Sequence, residues 1–347
     1  ADGIAIDQQV PTPETGVIRC TLTFPAIPAA ARSIDFSEGT DDGWCVWGID
    51  LTGKAGHDIH LDRVPQHLRN DSRNRPLPSP VIAWGDSATV DIRILGYRPA
   101  MGDKLRWGAN TLHGQTGTDT PVSVSPEGRA IVRLALSAPA EFFTISNLGS
   151  GSAIVSPGET VTPYIDSHLA GIRNMKARDE INNGLPDGFR YYFANGRYPD
   201  IRHNSGKGHF GMELFSGELG DYHMDGNAYT AYITGLYKTI ADSIDTAAGF
   251  SPMGRDYAHA LLKVDLAYAA VYARNLLRHN YRKVYGWDVP VPYDSIQMTL
   301  SPENVRQIAA LIDFNDANLL LSGNVAELAD ISLWEEAGVD AGILKAV

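Results

Sequence analysis

The chain has 347 residues, with 29 Lys and Arg against 41 Asp and Glu, for a formal charge of −12. A polyanion repels phosphate backbones, which excludes a general nucleic-acid binder, and an acidic surface gains nothing from anionic lipid headgroups. Hydrophobic residues make up 44% of the chain, enough for a real core, and the length suits two domains at roughly one per 150 residues.

No apolar run approaches the roughly 18 residues that mark a membrane helix, so no transmembrane segment is expected. No leader is legible at Ala1, which leaves a cytoplasmic or an already processed chain. The only cysteines are Cys20 and Cys45. They exclude a disulfide-dense scaffold, a Cys-rich zinc site and a local Cys-x-x-Cys redox motif.

The elements begin with alternation. Ile18, Cys20, Leu22 and Phe24 fall on one strand face, with Arg19, Thr21 and Thr23 on the other. Further strands are expected at 44–51, 57–63, 81–84, 89–96, 130–136, 141–146 and 160–165. Turn signals at Pro126-Glu127-Gly128 and Pro157-Gly158 suit antiparallel sandwiches rather than βαβ units. The polar, Pro-containing stretch 69–80 looks like a linker that divides the β half into modules at 1–75 and 76–165.

The period then changes to three and four, and 166–347 reads as a mainly α-helical domain. A helix is expected over 222–247. A long one follows over 252–285, with Ser251 as N-cap and Pro252 at the first position. Tyr257, Leu261, Val264, Tyr268 and Val271 form its stripe, which is wide enough to pack on two partners in a bundle. Another helix starts at Ser301-Pro302 and carries Val305, Ile308, Ala309 and Ile312. The run Phe189-Arg190-Tyr191-Tyr192-Phe193 is strand-like. The fold class is therefore α+β and multidomain, an antiparallel β-sandwich region followed by an α-helical bundle.

Motifs that carry chemistry are sparse. The Gly-rich run 205–211 lacks the Gly-Lys-Ser/Thr order and the preceding strand of a phosphate loop. His57 and His60, three apart on a strand, face opposite sides and do not easily share a metal. His203, His209 and His223, with Glu213, Glu218, Asp221 and Asp225 nearby, form a candidate surface site for zinc or acid–base work, without certain ligand spacing. Cys20 and Cys45 lie on neighbouring expected strands, either as buried thiols or as a structural disulfide if the strands pair in register. Trp44, Trp47, Trp84 and Trp107 suit either sheet packing or a glycan platform. No catalytic, cofactor-binding or metal-binding residue is assigned.

Several runs taken in order carry a resemblance. Asp2-Gly3-Ile4-Ala5-Ile6-Asp7 leads to Pro13-Glu14-Thr15-Gly16. Leu22-Thr23-Phe24-Pro25-Ala26-Ile27-Pro28, Ser33-Ile34-Asp35-Phe36-Ser37-Glu38-Gly39 and Trp47-Gly48-Ile49-Asp50-Leu51-Thr52-Gly53 follow. Then come Ile92-Arg93-Ile94-Leu95-Gly96-Tyr97-Arg98-Pro99, Val155-Ser156-Pro157-Gly158-Glu159 and Tyr191-Tyr192-Phe193-Ala194-Asn195-Gly196. This order resembles the non-catalytic N-terminal region of Bacteroidetes TlpA-like disulfide reductases, redoxins with a C-terminal thioredoxin fold. The resemblance covers 1–165 well and 166–325 more loosely.

It implies an exported, periplasmic or envelope-associated protein whose chemistry belongs to a Trp-Cys-x-x-Cys thioredoxin domain. This chain has no such motif and no thioredoxin fold is expected in it. The expected role is then an accessory region that positions a client or partner, including a covalently linked thioredoxin-like domain. The alternative is a stand-alone surface module that binds glycan or protein.

Overall fold

The computed structural model describes residues 23–37, 45–52, 60–69, 75–102, 104–145, 148–170, 190–199, 222–247, 250–293, 295–323 and 325. It is a mixed α and β structure. A hairpin of β1 (Ser33–Ser37) and β2 (Cys45–Asp50) comes first, then the short helix α1 (Gln66–Arg69). The strands that follow are β3 (Asp86–Leu95), β4 (Lys104–Thr111), β5 (Gly114–Ser123), β6 (Arg129–Leu136), β7 (Ala140–Ile145), β8 (Gly151–Val155), β9 (Thr160–Val161), β10 (Pro163–Asp166) and β11 (Tyr192–Ala194). One sheet runs β11-β10-β3-β6 with β9 also on β3, and the other runs β5-β4-β7-β8.

Alternation builds both sheets. Along β6, Ala130, Val132, Leu134 and Leu136 are buried while Arg129, Ile131, Arg133 and Ala135 are exposed. Ala88, Val90, Ile92 and Ile94 do the same for β3 and meet Leu105, Ala109, Phe142, Ala153 and Val155 of the other sheet in one buried cluster. Burial of this apolar surface at about 25 cal/mol per Å² is the main force holding the two sheets. Cys45 and Trp47 of β2 belong to the same cluster. The turn before β6 forms as its sequence indicates. The Gly128 N–H donates to Ser125 O at 2.8 Å, and Gly128 takes φ 77°, where an added Cβ would meet Ile94 O at 2.5 Å.

Three expectations for the strands change. β10 and β9 pair with β3 in parallel, so the sheet is not purely antiparallel. The chain returns to β3 through the Pro157-Gly158 turn and lies along its other side. Residues 61–63 of the expected strand 57–63 form a 3-10 turn, and 57–59 lie outside the described residues. The stretch 81–84 is irregular, because Ala83 bonds Ser137 O beyond the end of β6 rather than joining a ladder. The described part of the expected linker, 75–80, is strapped down. Leu77 N–H donates to Asp256 Oδ2 at 3.1 Å, Arg197 donates to Ser79 O at 2.8 Å, and Tyr198 Oη–H donates to Pro78 O at 3.2 Å.

The helices are α2 (Gly226–Thr246), α3 (Pro252–Val271), α4 (Ala273–Tyr285) and α5 (Pro302–Ile312). Ser251 caps α3 with Pro252 at the first turn. The expected single helix over 252–285 is broken at Tyr272, whose φ of −94° and ψ of 18° end α3. No Gly or Pro marks this break, and at it the Tyr272 ring packs 4.2 Å from the Tyr268 ring. Tyr229 and Ile233 of α2, Val264 and Ala267 of α3, Leu276 and Leu277 of α4, and Val305 and Ile308 of α5 share one core.

Ser301 and Asn304 form a reciprocal capping box at α5. Ser301→Ala is expected to lower stability by about 1 kcal/mol. A urea midpoint unchanged from the parent would show that the cap contributes nothing.

Candidate binding face

Few of the expected site residues fall within the described part of the chain. Cys20, His203, His209 and Glu213 lie outside the described residues, as do Glu218 and Asp221. Cys45 is buried, and its Sγ lies 3.2 Å from Ser37 Oγ as donor. Its pairing with Cys20 likewise lies outside the described residues. His223 is exposed, with its ring 4.2 Å from that of Tyr222. Asp225 is the N-cap of α2, accepting the Ala228 N–H at 2.8 Å. His60 is half-buried and its backbone N–H donates to Asp166 Oδ2 at 2.8 Å. Among the described residues no group of three His, Cys, Asp or Glu is placed to hold a metal ion. None of their helices is long and apolar enough to cross a membrane.

The tryptophans also go separate ways. Trp47 is buried in the core, Trp107 stacks on Phe142 at 5.9 Å, and Trp84 stands 78% exposed before β3. These three described tryptophans form no shared exposed platform; Trp44 lies outside the described residues.

What does gather lies on α4 and the loop after it. Helix α4 carries Arg274, Arg278, Arg282 and Lys283 and no acidic residue, in a chain whose formal charge is −12. Its inner face, Ala273, Leu276 and Leu277, fixes the helix in the core. Arg274 ties it further, donating Nε–H to Met298 O at 2.7 Å. Arg278 and Arg282 lie over aromatic rings. The Arg278 guanidinium is 4.7 Å from the Tyr293 ring centre, and that of Arg282 is 5.8 Å from the Trp287 ring. Trp287 is 62% exposed and Tyr293 53%.

A second aromatic group adjoins this strip. The Tyr222 and Tyr281 rings meet edge to face at 5.0 Å, and Tyr281 and Tyr285 lie 4.6 Å apart. The Tyr222 and Tyr285 hydroxyls share a hydrogen bond at 2.8 Å.

The polar atoms here are under-used. Arg278 Nε, Arg282 Nε and Asn280 Nδ2 are buried without a hydrogen-bond partner. Among the described residues neither Arg278 nor Arg282 has a carboxylate partner; Arg278 has only Asn275 Oδ1 at 3.4 Å. Partial burial first, then the Lys283 and Arg282 charges, push the His279 imidazole below its ordinary range. His279 therefore stays neutral near pH 7, and acidification adds a further cation to the strip. Its ring is 5.1 Å from that of Trp287.

One carboxyl stands apart on α3. Burial pushes Asp265 up to about 7, with no compensating cation among the described residues. A group that titrates near neutrality can accept or give a proton.

Sequence reasoning missed both features. The signal for the strip was present as three arginines four residues apart, on one helix side, with no acid among them. Nothing in sequence marks Asp265, because it sits in an ordinary helical stripe. No protein-family model, curated protein or solved structure matches the chain.

Proposed function

We propose that the chain is a binding module without redox chemistry of its own, and that the strip on α4 positions an acidic protein partner. The observation that carries this is the pair of guanidiniums of Arg278 and Arg282, each held over an exposed ring and lacking a carboxylate among the described residues. A guanidinium braced against an aromatic ring keeps its N–H edge free for a carboxylate and loses little freedom on binding. Aromatic and Arg anchors of this kind dominate binding energy at protein interfaces.

The resemblance of the ordered motifs to TlpA-like reductases supports a reading in which this role belongs to the accessory region of an exported thiol–disulfide oxidoreductase. The two sheets over one core are then the layers of a β-sandwich, and the four longer helices a bundle. The client or redox domain would be held by contact, since no chemistry is assigned to this region. Exposed Trp287 favours one second reading, a stand-alone module that stacks an acidic glycan.

Titration calorimetry with an oligoglutamate peptide and with oligogalacturonate tests the choice. Oligoglutamate is expected to bind and to weaken as salt rises. Arg282→Ala and Trp287→Ala are each expected to lose roughly tenfold in affinity, about 1.4 kcal/mol. Binding of oligogalacturonate alone would move the assignment to glycan. Parent-like binding by both variants would remove the α4 strip from the account. The oxidoreductase setting is tested separately by insulin reduction with the native polypeptide purified from its own cells, where no thiol-dependent activity would end it.

A further inference from the structure

We propose that the outer edge of β6 receives an extended acidic segment of a partner polypeptide, which adds as an antiparallel strand. β6 ends the five-stranded sheet, opposite β11. Its hydrogen-bond phase follows from the turn before it. Ile94 N–H donates to Gly128 O at 2.8 Å, and β3 and β6 pair without a shift from Arg93↔Arg129 to Asp86↔Leu136. Alternate residues of an antiparallel strand bond alternate neighbours. Ala130, Val132, Leu134 and Leu136 therefore face β3 with their backbone groups, and Ile131, Arg133 and Ala135 point theirs away. Arg129 O is taken by the Ser125 N–H at 2.8 Å, and Ser137 O, just past the other end, by the Ala83 N–H at 2.9 Å, which leaves the middle of the strand. Among the described residues nothing pairs the backbone of the other three.

Open edges are usually blunted by brevity, proline, bulges or cover. The other edges of the two larger sheets show these devices. β11 has three residues. β5 contains Pro121, a register shift against β4 and Asp119 at φ 61°. β8 is bridged by Tyr198 through Ile154. β6 has eight residues, with no Pro, Gly or bulge. An unblunted edge of this length is a template for one more strand, and main-chain bonds supply the affinity in such docking.

The side chains select the occupant. Ile131 is 45% exposed, next to Arg129 and Arg133 on the outer face. Arg129 already holds Asp91, with Nε–H to Oδ1 at 2.7 Å. Arg133 has no ion pair among the described residues. A strand with a carboxylate opposite Arg133 and an apolar residue opposite Ile131 satisfies both. A second copy of β6 fits less well. β6 carries no acidic residue, so no register of a second copy brings a carboxylate to Arg133, and registers centred on Ile131 or Arg133 also set arginines directly opposite each other.

The probe is a short synthetic peptide that alternates threonine and valine around a central glutamate, with a central-lysine peptide as control. Amide exchange in the full chain is the readout. On adding the glutamate peptide, the Ile131, Arg133 and Ala135 amides are expected to slow by about tenfold or more, with Ala130, Val132 and Leu134 unchanged. The lysine peptide is expected to bind at least several-fold more weakly. Arg133→Pro removes an outward donor, which an edge strand tolerates, so it is expected to abolish binding while the urea midpoint stays near the parent's. Unchanged exchange at millimolar peptide overturns the proposal. Equal binding of the two peptides overturns the acidic preference. Protection that rises with protein concentration, without peptide, would assign the edge to a second copy instead.

Discussion

Tyr198→Ala is expected to cost about 3–5 kcal/mol and to split the unfolding of the chain into two transitions. Tyr198 is fully buried with Ile154 of β8, Met253 and Tyr257 of α3, and Leu321. This cluster draws from both sides of the structure, whereas the other large clusters lie within the strands or within the helices. Its hydroxyl also holds the 75–80 strap through Pro78 O at 3.2 Å, and its backbone bridges Ile154. Removing the ring leaves a cavity at this junction, so strands and helices lose their main apolar link. Tyr198→Phe keeps the ring and loses one hydrogen bond, for about 1 kcal/mol. Far-ultraviolet and near-ultraviolet circular dichroism during urea unfolding separate the cases. Coincident transitions for Tyr198→Ala, with a midpoint like that of Tyr198→Phe, would show that this cluster does not couple the two parts.

The elements that sequence made legible are those in which a local rule and tertiary packing agree. Ser301-Pro302 and Ser251-Pro252 start helices because cap and first-turn proline act within four residues of each other. β3, β6 and β7 alternate cleanly because one face of each meets the core. β4 and β5 escaped notice for a physical reason. Gly108 lies under the Phe143 ring and Gly117 against Trp107, positions where packing leaves no room for a side chain. The apolar alternation is diluted there by the packing that stabilises the strands. The parallel pairings of β9 and β10 with β3 are long-range choices that no local pattern encodes. Among the candidate site residues, Asp225 was legible as an acid but its work is capping. The α4 strip depends on which side of the helix the core occupies, and that only packing decides.

Asp265→Asn is expected to stabilise the protein at pH 8 and to leave it nearly unchanged at pH 4. Burial on α3 raises the Asp265 carboxyl from 3.8 to about 7. The folded state therefore holds this proton more tightly than the unfolded state does. Between those two values folding takes up a proton, so stability falls as pH rises. Below pH 4 the group is protonated in both states and the penalty is absent. Above about pH 7 it is ionised in both, and the folded state carries the full cost of a desolvated charge. A shift of about three units sets an upper bound near 4 kcal/mol at 1.36 kcal/mol per unit. Partial solvent access reduces the expected gain for Asn to roughly 1–3 kcal/mol at pH 8. Urea midpoints for parent and variant at both pH values measure the difference directly. Equal differences at pH 4 and pH 8 would mean that the effect is packing and not charge. A carboxyl titration by NMR with its midpoint near 4 would remove the cause altogether.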